Sequence, residues 1–321
     1  MSGGHLIRPA GDVELTPPAT GWTSGATGYR RAMAVGEDDH AVHTGFVIAE
    51  LDPGGSLPWH VHSYEESFYI VTGAAVVDTV EGSFRLAEGG YGVVPVGMPH
   101  RLRNDSEQTV RWAEMQAPMP RSAYDDDTFL VSAPSVDEVA MRPELVEGRA
   151  STGAVLSLSK GPARDVDVRD PRNRYFGRIT PSQMDPSKQS QDLLEVTASM
   201  RTALLVYGGI NVKMMVDSDL GAQLATMFMV QYDPDGATGP HDHPFEETYF
   251  FLEGQAEATF DGKPVVVSAG DIAWAGVGCA HSFRNVGGGP LRWLETQAPQ
   301  PPPRYSYRFA RDWDYLREVL R

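Results

Sequence analysis

The chain is poor in the features that mark secreted and membrane proteins. It has one cysteine in 321 residues, Cys279, so no disulfide can form within the chain, and a reducing, cytoplasmic environment is expected. No apolar run of about eighteen residues is present, so no transmembrane helix and no membrane partner are expected. The first residues lack the basic start and apolar stretch of a secretory signal, so export is not expected.

Positive charge is also scarce. The chain has 27 Lys and Arg against 43 Asp and Glu, which gives a formal net charge of −16. Nucleic-acid phosphates would be repelled by such a surface, so nucleic acid is not expected as a partner. Solubility is the simpler explanation of the negative charge.

One stretch, 55–73, carries a dense set of polar ligand-type residues. His60 and His62 lie two residues apart, and Glu66 follows four residues later. Alternate residues of a strand point to the same face, so these side chains can look into one pocket. His100, after a turn rich in proline and glycine, supplies a third imidazole. Three imidazoles and a carboxylate, without a thiolate, form a ligand set for a transition-metal ion.

The same set occurs a second time. Adding 181 to each residue number gives the second ligand set, which is His241, His243, Glu247 and His281. The register holds without a gap from residue 33 to residue 118, which match 214 to 299. An internal repeat of this length predicts two copies of one structural unit.

Both stretches resemble the motifs of the cupin superfamily in its two-domain, bicupin form. The family's first motif, G-x5-H-x-H-x3-E-x6-G, is met at 54–73, and its second, G-x5-P-x-G-x2-H-x3-N, at 89–104. The second copy departs at Gly276, where the motif has proline, and at Asp235, where it begins with glycine. Neither residue is a metal ligand. The match is specific for fold and metal, but cupins host many unrelated reactions.

Short strand signals separated by turn sequences run from 29 to 116 and again from 209 to 297, which is typical of an antiparallel sandwich or barrel. With the resemblance, they predict an all-β fold of two tandem cupin barrels, of the double-stranded β-helix or jelly-roll kind. A short helix is expected at 135–145 and another at the C-terminus. The expected domains are an N-terminal arm packed on a neighbouring domain or subunit (1–27), cupin domain 1 (28–120), an inter-domain linker segment (121–200), cupin domain 2 (201–310) and a C-terminal helix (311–321).

Four ligands leave two adjacent positions open on a six-coordinate cation, for substrate, water or O2. A structural zinc site would prefer a closed, cysteine-rich tetrahedron, which the sequence does not offer. Mn, Fe or Ni suit this ligand set best, and Cu, Co and Zn are also compatible with it. Up to two divalent ions per chain are expected, one at each ligand set.

Strand parity indicates which other side chains surround the ligands. Four of them share a face with the ligands and are the candidates for an apolar substrate pocket: Phe68, Met98, Tyr249 and Cys279. Ordinary core packing is the alternative, and it is the better interpretation for Ile70 and Phe251. Several polar residues are expected to face water instead: Glu65, Glu246 and the acidic triplet 125–127. A further set either contacts the ligand residues from behind or faces outward on an edge strand, and the outward orientation is preferred: Glu114, Gln116, Glu295 and Gln297.

The two ligand sets are not equivalent. Pro95 locks the turn before His100, whereas the second set has Gly276 there, which favours the first set for chemistry. Against this, Tyr249 gives the second set a phenol where the first has Phe68.

The resemblance implies an enzyme with a small-molecule substrate. A dioxygenase similar to the bicupin quercetinases would act with O2 on an aromatic or enolisable compound, with Glu66 or Glu247 as the base. Non-oxidative alternatives are an aminohydrolase similar to ureidoglycine aminohydrolase, an isomerase, or a decarboxylase of the oxalate type. The decarboxylase would need a smaller, more polar chamber with an acidic lid, and the sequence shows no such feature. The third option is a cupin that binds a small molecule without turnover. Separately, the terminal segments are compatible with a homodimer.

Overall fold

A computed structural model describes residues 4–134, 163–166, 175–185, 209–300 and 308–309. Within these ranges the regular structure is mainly β-strand, as predicted, and the predicted helices at 135–145 and 311–321 lie outside the described residues. In the described ranges, no helix is long and apolar enough to cross a membrane. Short 3-10 turns lie between the strands, at Ala10–Asp12, Gly21–Thr23, Glu37–Asp39, Ser122–Asp127 and Pro181–Met184.

The strands fall into two groups that follow the two repeats. The first group is β1 (His5–Arg8), β2 (Thr27–Val35), β3 (Gly45–Ser56), β4 (His60–His62), β5 (Glu65–Thr72), β6 (Ala74–Thr79), β7 (Gly82–Ala87), β8 (Gly90–Val94), β9 (His100–Arg103), β10 (Val110–Ala117) and β11 (Thr128–Leu130). Between the repeats lie β12 (Arg164–Asp165) and β13 (Phe176–Arg178). The second group is β14 (Ile210–Val216), β15 (Thr226–Tyr232), β16 (His241–Asp242), β17 (Glu246–Glu253), β18 (Gln255–Phe260), β19 (Lys263–Ser268), β20 (Ile272–Ala275), β21 (His281–Asn285), β22 (Leu291–Ala298) and β23 (Arg308–Phe309).

Mainly antiparallel pairing curls each repeat into a barrel. The first repeat forms a sheet in the order β12-β7-β6-β9-β3-β10-β5-β8-β13, with β2 on β3 and β4 between β9 and β11. The second repeat forms two sheets, β1-β20-β17-β22-β15-β14 and β19-β18-β21-β16-β23. In both repeats the strand that carries the ligand glutamate has corresponding neighbours: β5 lies between β8 and β10, and β17 lies between β20 and β22. The predicted fold of two tandem barrels is confirmed.

The strands at the centre of the molecule are buried on both faces. In β10, Trp112 points into the first barrel and stacks on Tyr29, with ring centroids 5.9 Å apart. Met115, of opposite parity, belongs to an apolar cluster that also contains residues of the second repeat. Phe46 and Phe250 meet across this interface at 6.3 Å. The two barrels therefore share an apolar core, and its burial stabilises their association.

Glycine is required where each first motif ends. Gly73 and Gly254 have φ of 78° and 82°, in the left-handed region that favours glycine. A Cβ at these positions would lie 2.7 Å from the Thr109 carbonyl oxygen and 2.5 Å from that of Pro290. Any other residue would be strained in this conformation, and its Cβ would also clash with the backbone of the adjacent loop.

The N-terminal arm reaches both domains. β1 pairs antiparallel with β20 of the second repeat, with His5 opposite Ala275. Further along the arm, Trp22 is buried and its ring lies 5.2 Å from that of His60 in the first barrel. The arm therefore contains a strand, and it packs on the domains of its own chain.

The expectation that Glu65 and Glu246 face water is wrong, because they are 2% and 3% exposed. Glu65 accepts hydrogen bonds from the backbone N–H groups of residues 223–225 at 2.7, 3.2 and 3.1 Å. Glu246 accepts them from residues 42–44 at 2.9, 3.0 and 3.1 Å. Parity does point both glutamates out of their barrels, but there they meet the other domain. These two sets of bonds are called the reciprocal clamp below.

The acidic triplet 125–127 was expected to be solvated, and this is also wrong. Its three residues have φ of 55°, 55° and 50°, and Asp126 and Asp127 are only 7% and 5% exposed. Asp126 accepts a hydrogen bond from the guanidinium of Arg31, and Asp127 is paired with Arg121. Pairing with arginine compensates for the burial of these carboxylates.

Candidate metal centres

Strand pairing gathers the predicted ligands of the first barrel. β4 pairs with β9 so that His60 lies opposite His100, and β5 brings Glu66 to the same place. One ligand atom from each of His60, His62, Glu66 and His100 lies within 4.8 Å of the others, and all four side chains are buried. This group is called site 1.

The spacing of the site 1 atoms suits a single ion. Glu66 Oε2 lies 2.8 Å from His62 Nε2 and 3.3 Å from His100 Nε2. Ligands about 2.1 Å from an octahedral metal ion are separated from their neighbours by about 3.0 Å. Only small shifts would therefore bring these atoms onto one ion.

The backbone fixes which histidine nitrogen faces the centre. Nδ1 of each histidine in site 1 lies 2.8–2.9 Å from a backbone carbonyl oxygen two residues away. A carbonyl oxygen can only accept, so Nδ1 carries the proton and Nε2 presents its lone pair, as a metal ligand must. Two acceptors, Nε2 of His62 and the Glu66 carboxylate, then face each other at 2.8 Å. A positive charge between them relieves this contact, and a divalent metal ion could supply it as well as a proton on Nε2.

The electrostatics of site 1 favour the same protonation states. Burial, followed by the neighbouring His100 and His62 imidazoles, lowers the pKa of His60 well below its usual value. Burial also lowers the pKa of His62. Burial acts to raise the pKa of Glu66, but its contacts with His100 and His62 outweigh this and hold the pKa far below its usual range. Neutral imidazoles and an ionised carboxylate are the forms that bind metal.

Glu114 and Gln116 lie inside the first barrel, so the prediction that they face outward is wrong. β10 pairs on both sides, with β3 and β5, and is not an edge strand. Gln116 Nε2 donates to Glu114 Oε1 at 2.7 Å, and Trp112 Nε1 donates to Glu114 Oε2 at 3.2 Å. Burial, and then the charge of Glu66, raise the pKa of Glu114 to about 8. A second carboxyl therefore lies behind the ligands and holds a proton near neutral pH.

The second barrel gathers three of its four predicted ligands, His243, Glu247 and His281, within 4.8 Å of one another. This group is called site 2. Glu247 Oε2 lies 2.7 Å from His243 Nε2 and 3.3 Å from His281 Nε2, as in site 1. The fourth, His241, pairs across β16 and β21 with His281 at 4.3 Å between ring centroids, but it adds no atom to this group. Burial lowers the pKa of His241 to about 3.

A phenol distinguishes site 2 from site 1. The Tyr249 hydroxyl donates to Glu247 Oε2 and lies 2.9 Å from His281 Nε2. It therefore contacts two of the atoms that would hold a metal ion. Phe68 stands at the matching position in site 1 and offers no hydroxyl.

Glu295 and Gln297 are also buried inside their barrel, at 7% and 3% exposure, so their predicted outward orientation is wrong. Gln297 Nε2 donates to Glu247 Oε1. Burial, followed by the charge of Glu247, holds the pKa of Glu295 well above its usual range. In site 1 the matching Gln116 contacts Glu114 instead of the ligand glutamate.

The predicted pocket residues separate into different surroundings, although all are buried: Phe68, Met98, Tyr249 and Cys279. Tyr249 contacts the site 2 ligands. Phe68 packs 6.2 Å from Phe176, which lies on β13 between the repeats. Cys279 groups with His5 and Asp261, whose ligand-type atoms all lie within 4.8 Å of one another. Ile70 and Phe251 are fully buried, as expected of core residues.

Aromatic rings that the sequence did not indicate line both sites. Tyr64 stacks on His62 with ring centroids 4.1 Å apart, and Phe245 stacks on His243 at 4.0 Å. Each follows the second histidine of its set by two residues, so aligning the repeats could have found the position. No pattern in the sequence connects Trp22 with the distant first site.

Two antiparallel barrels with a buried histidine and glutamate cluster in each define a class of metal-binding β-proteins. The sequence pattern of the cupin domain family matches this chain at 47–115 and 228–296. A Streptomyces cyaneus protein named polyketide synthase CurC is 30% identical over 159 residues, which cover 47% of this chain and 88% of that protein. The chain belongs to the cupin superfamily and is a bicupin.

Solved structures of similar fold span almost the whole chain. A mutant of Bacillus subtilis oxalate decarboxylase OxdC superposes with a TM-score of 0.62 at 18% identity, covering 98% of this chain and 81% of that one. A putative glyoxylate-induced protein from Pseudomonas aeruginosa gives a TM-score of 0.58 at 16% identity, covering 96% and 92%. At such identities the likeness establishes the two-barrel fold alone.

Proposed function

We propose that this bicupin is a metal-dependent enzyme acting on a small organic molecule, and that site 1 is its working centre. The proposal rests on one observation, the convergence of three Nε2 lone pairs and the Glu66 carboxylate in a buried barrel. A divalent transition metal bound there would supply Lewis acidity and, for Mn or Fe, a redox couple.

Site 1 is favoured over site 2 by what surrounds the ligands. In site 2 the Tyr249 hydroxyl occupies contacts with Glu247 and His281 that a metal or substrate would otherwise take. In site 1 the face beside Glu66 carries Phe68. The histidine contacts of the ligand glutamate fall on Oε2 in both sites, but Oε1 of Glu247 also accepts a hydrogen bond from Gln297, whereas the matching Gln116 of site 1 donates to Glu114 instead. Glu66 Oε1 is therefore the atom proposed to accept a proton from the substrate. Site 2 then serves mainly to hold its barrel together.

The proposed reaction is the oxygenation of an aromatic or enolisable compound. The rings of Trp22 and Tyr64 flank His60 and His62 and exclude water from the imidazole side of the site. Such apolar walls suit a planar organic substrate. The polyketide synthase CurC relative supports this class, because polyketide intermediates carry enolisable 1,3-dicarbonyl groups.

Decarboxylation of a small acid is the second candidate, and a specific contact favours it. The segment Ser122–Asp127 leads into β11, which pairs with the histidine strand β4, so that Thr128 lies opposite His62. Asp126 in this segment is ion-paired with Arg31, a partly buried arginine on β2. An acidic segment beside site 1 is a feature that a decarboxylase would need, and Arg31 could recognise a substrate carboxylate if it exchanged Asp126 for that partner.

The two candidates are separated by measuring O2 uptake and CO2 release together. The protein is reconstituted with Mn, Fe or Ni and offered flavonols, catechols, 1,3-diketones and small dicarboxylic acids. O2 uptake that matches substrate loss supports oxygenation, whereas CO2 release without net O2 uptake supports decarboxylation. If no compound is turned over by protein with measured metal in site 1, the proposal of an enzyme of this substrate class is wrong.

The assignment of the working site is tested with matched variants, Glu66→Gln and Glu247→Gln. Each removes a charge and keeps the shape, and metal content is measured for both by mass spectrometry. We expect Glu66→Gln to abolish turnover and Glu247→Gln to keep most of it. The reverse result would move the reaction to site 2.

A further inference from the structure

We propose a third metal site, formed by His5, Asp261 and Cys279 where the N-terminal arm meets the second barrel. A nitrogen, an oxygen and a sulfur from these residues lie within 4.8 Å of one another. They come from three separate segments, which are β1, the turn between β18 and β19, and the turn before β21. The cluster shares no ligand atom with site 2 but adjoins it, because the backbone oxygen of Cys279 accepts a hydrogen bond from Nδ1 of His281 at 2.9 Å.

Two of the three donors, those of His5 and Asp261, are oriented by contacts of their own. His5 Nδ1 lies 3.8 Å from Asp261 Oδ2, and the His5 ring stacks on Phe260 at 5.6 Å with an angle of 13° between the planes. Asp261 Oδ1 accepts a hydrogen bond from the Ala280 N–H at 3.1 Å, which leaves Oδ2 directed towards His5. Support from neighbouring groups of this kind is what a metal ligand requires.

The internal repeat provides a control for the fold. In the first repeat, Val80 and Met98 stand at the positions that match Asp261 and Cys279. Neither valine nor methionine supplies the carboxylate and thiolate of this group. The cupin barrel therefore does not itself impose the cluster, which belongs to the second repeat and the arm.

The donor set indicates the class of cation. Sites 1 and 2 offer nitrogen and oxygen, whereas this group adds the chain's one thiol. One imidazole, one carboxylate and one thiolate suit a borderline-soft, four-coordinate ion such as Zn2+, with a water in the fourth position. The His5 and Asp261 side chains are 21% and 19% exposed, so an ion can reach them from solvent.

Such an ion would fasten the arm. β1 is held to β20 by backbone pairing at the edge of the sheet, and the same arm carries Trp22 to the ring of His60. A bond from His5 through the ion to Asp261 and Cys279 would add a cross-link between arm and barrel. Metal binding here would therefore stabilise the wall of site 1 from a distance.

Co2+ tests the site directly, because a thiolate bound to Co2+ gives a near-ultraviolet charge-transfer band and Cys279 is the only thiol in the chain. The full chain, first loaded with Mn2+ at the barrel sites, is titrated with Co2+ under reducing conditions. We expect the band to grow with one further equivalent of Co2+. It should vanish in Cys279→Ser and fall at least tenfold in amplitude at equal Co2+ in His5→Ala and Asp261→Asn. The matched control His40→Asn changes an exposed histidine with a left-handed backbone, which asparagine tolerates, and should keep the band.

Two results would overturn the proposal. One is the absence of a charge-transfer band in the wild-type chain at saturating Co2+. The other is a band that disappears in Cys279→Ser but survives in both His5→Ala and Asp261→Asn, which would place Cys279 on a different ion. Circular dichroism of each variant shows whether it has folded, and the two arm and turn variants keep the test open if Cys279→Ser does not fold.

Discussion

Replacing Glu65 by alanine removes one half of the reciprocal clamp and leaves three backbone N–H groups of the second domain without their acceptor. An unpaired buried donor costs about 1–3 kcal/mol. Ala225 is buried, whereas residues 223 and 224 are at least partly exposed. The N–H of Ala225 therefore carries the full cost of an unpaired buried donor, whereas water can replace the acceptor for the other two N–H groups at a smaller cost. We expect the free energy of unfolding to fall by about 2–4 kcal/mol.

Glu65→Gln should be milder than Glu65→Ala. Burial raises the pKa of Glu65 even though the three N–H groups act to lower it, so the charge itself contributes little. The amide of glutamine keeps one acceptor oxygen but turns a donor towards other donors. A loss of about 1–2 kcal/mol follows.

The assay is urea unfolding followed by tryptophan fluorescence. Glu246→Ala should cost nearly the same as Glu65→Ala, because its three hydrogen bonds have similar lengths. In the double variant the barrels should lose part of their coupling and unfold in two resolved transitions. Glu107→Ala, at an exposed glutamate, is the control and should stay within about 0.5 kcal/mol of wild type. If Glu65→Ala also stays within that range, the clamp does not stabilise the interface.

Three further outcomes follow from the same contacts. Tyr249→Phe removes the hydroxyl that contacts the site 2 ligands, so site 2 should bind metal more readily. In a Glu66→Ala background, the metal bound per chain, measured by mass spectrometry, should rise by up to one ion. No rise would show that the hydroxyl does not compete with the metal ion. Gly73→Ala should cost at least 2 kcal/mol or so in urea unfolding, because its Cβ would strain the backbone and meet the Thr109 carbonyl, whereas Gly262→Ala meets only the strain and should cost less. In metal-free protein the pKa of Glu114 is 4.5 in the unfolded chain and about 8 in the folded state. Between these pH values the folded state holds a proton that the unfolded chain has released, so the free energy of unfolding should fall as pH rises. Glu114→Gln should flatten that part of the pH profile, and an unchanged slope would assign it to other groups.

The fold and ligand positions could be predicted because the signals are local. The spacing of His60, His62 and Glu66 follows from strand periodicity, and Gly73 from a turn that needs positive φ. An internal repeat without gaps then supplied a second indication for every ligand position. The predictions of side-chain exposure failed where the two faces of a strand contact different parts of the protein.

Parity separated the two faces of each strand correctly but did not say what each face meets. Glu65 does point away from the barrel, yet the space outside is the other domain and not solvent. Glu114 and Gln116 lie on a strand that is paired on both sides, so a polar face could still be an interior one. Contacts across the chain, such as that of Trp22 with His60, depend on where the arm docks, and nothing in the local sequence specifies that.

The reciprocal clamp relates the two barrels by an approximately symmetric pair of contacts. Glu65 of the first domain accepts hydrogen bonds from a loop of the second, and the matching Glu246 accepts them from the corresponding loop of the first. Interfaces between two identical copies related by a two-fold axis have this arrangement. Joining the copies in one chain makes that contact intramolecular and raises its effective concentration. Each clamp glutamate also precedes a ligand glutamate, since Glu65 is followed by Glu66 and Glu246 by Glu247. The position of each ligand glutamate is therefore fixed in part by the opposite domain, which neither repeat could provide alone.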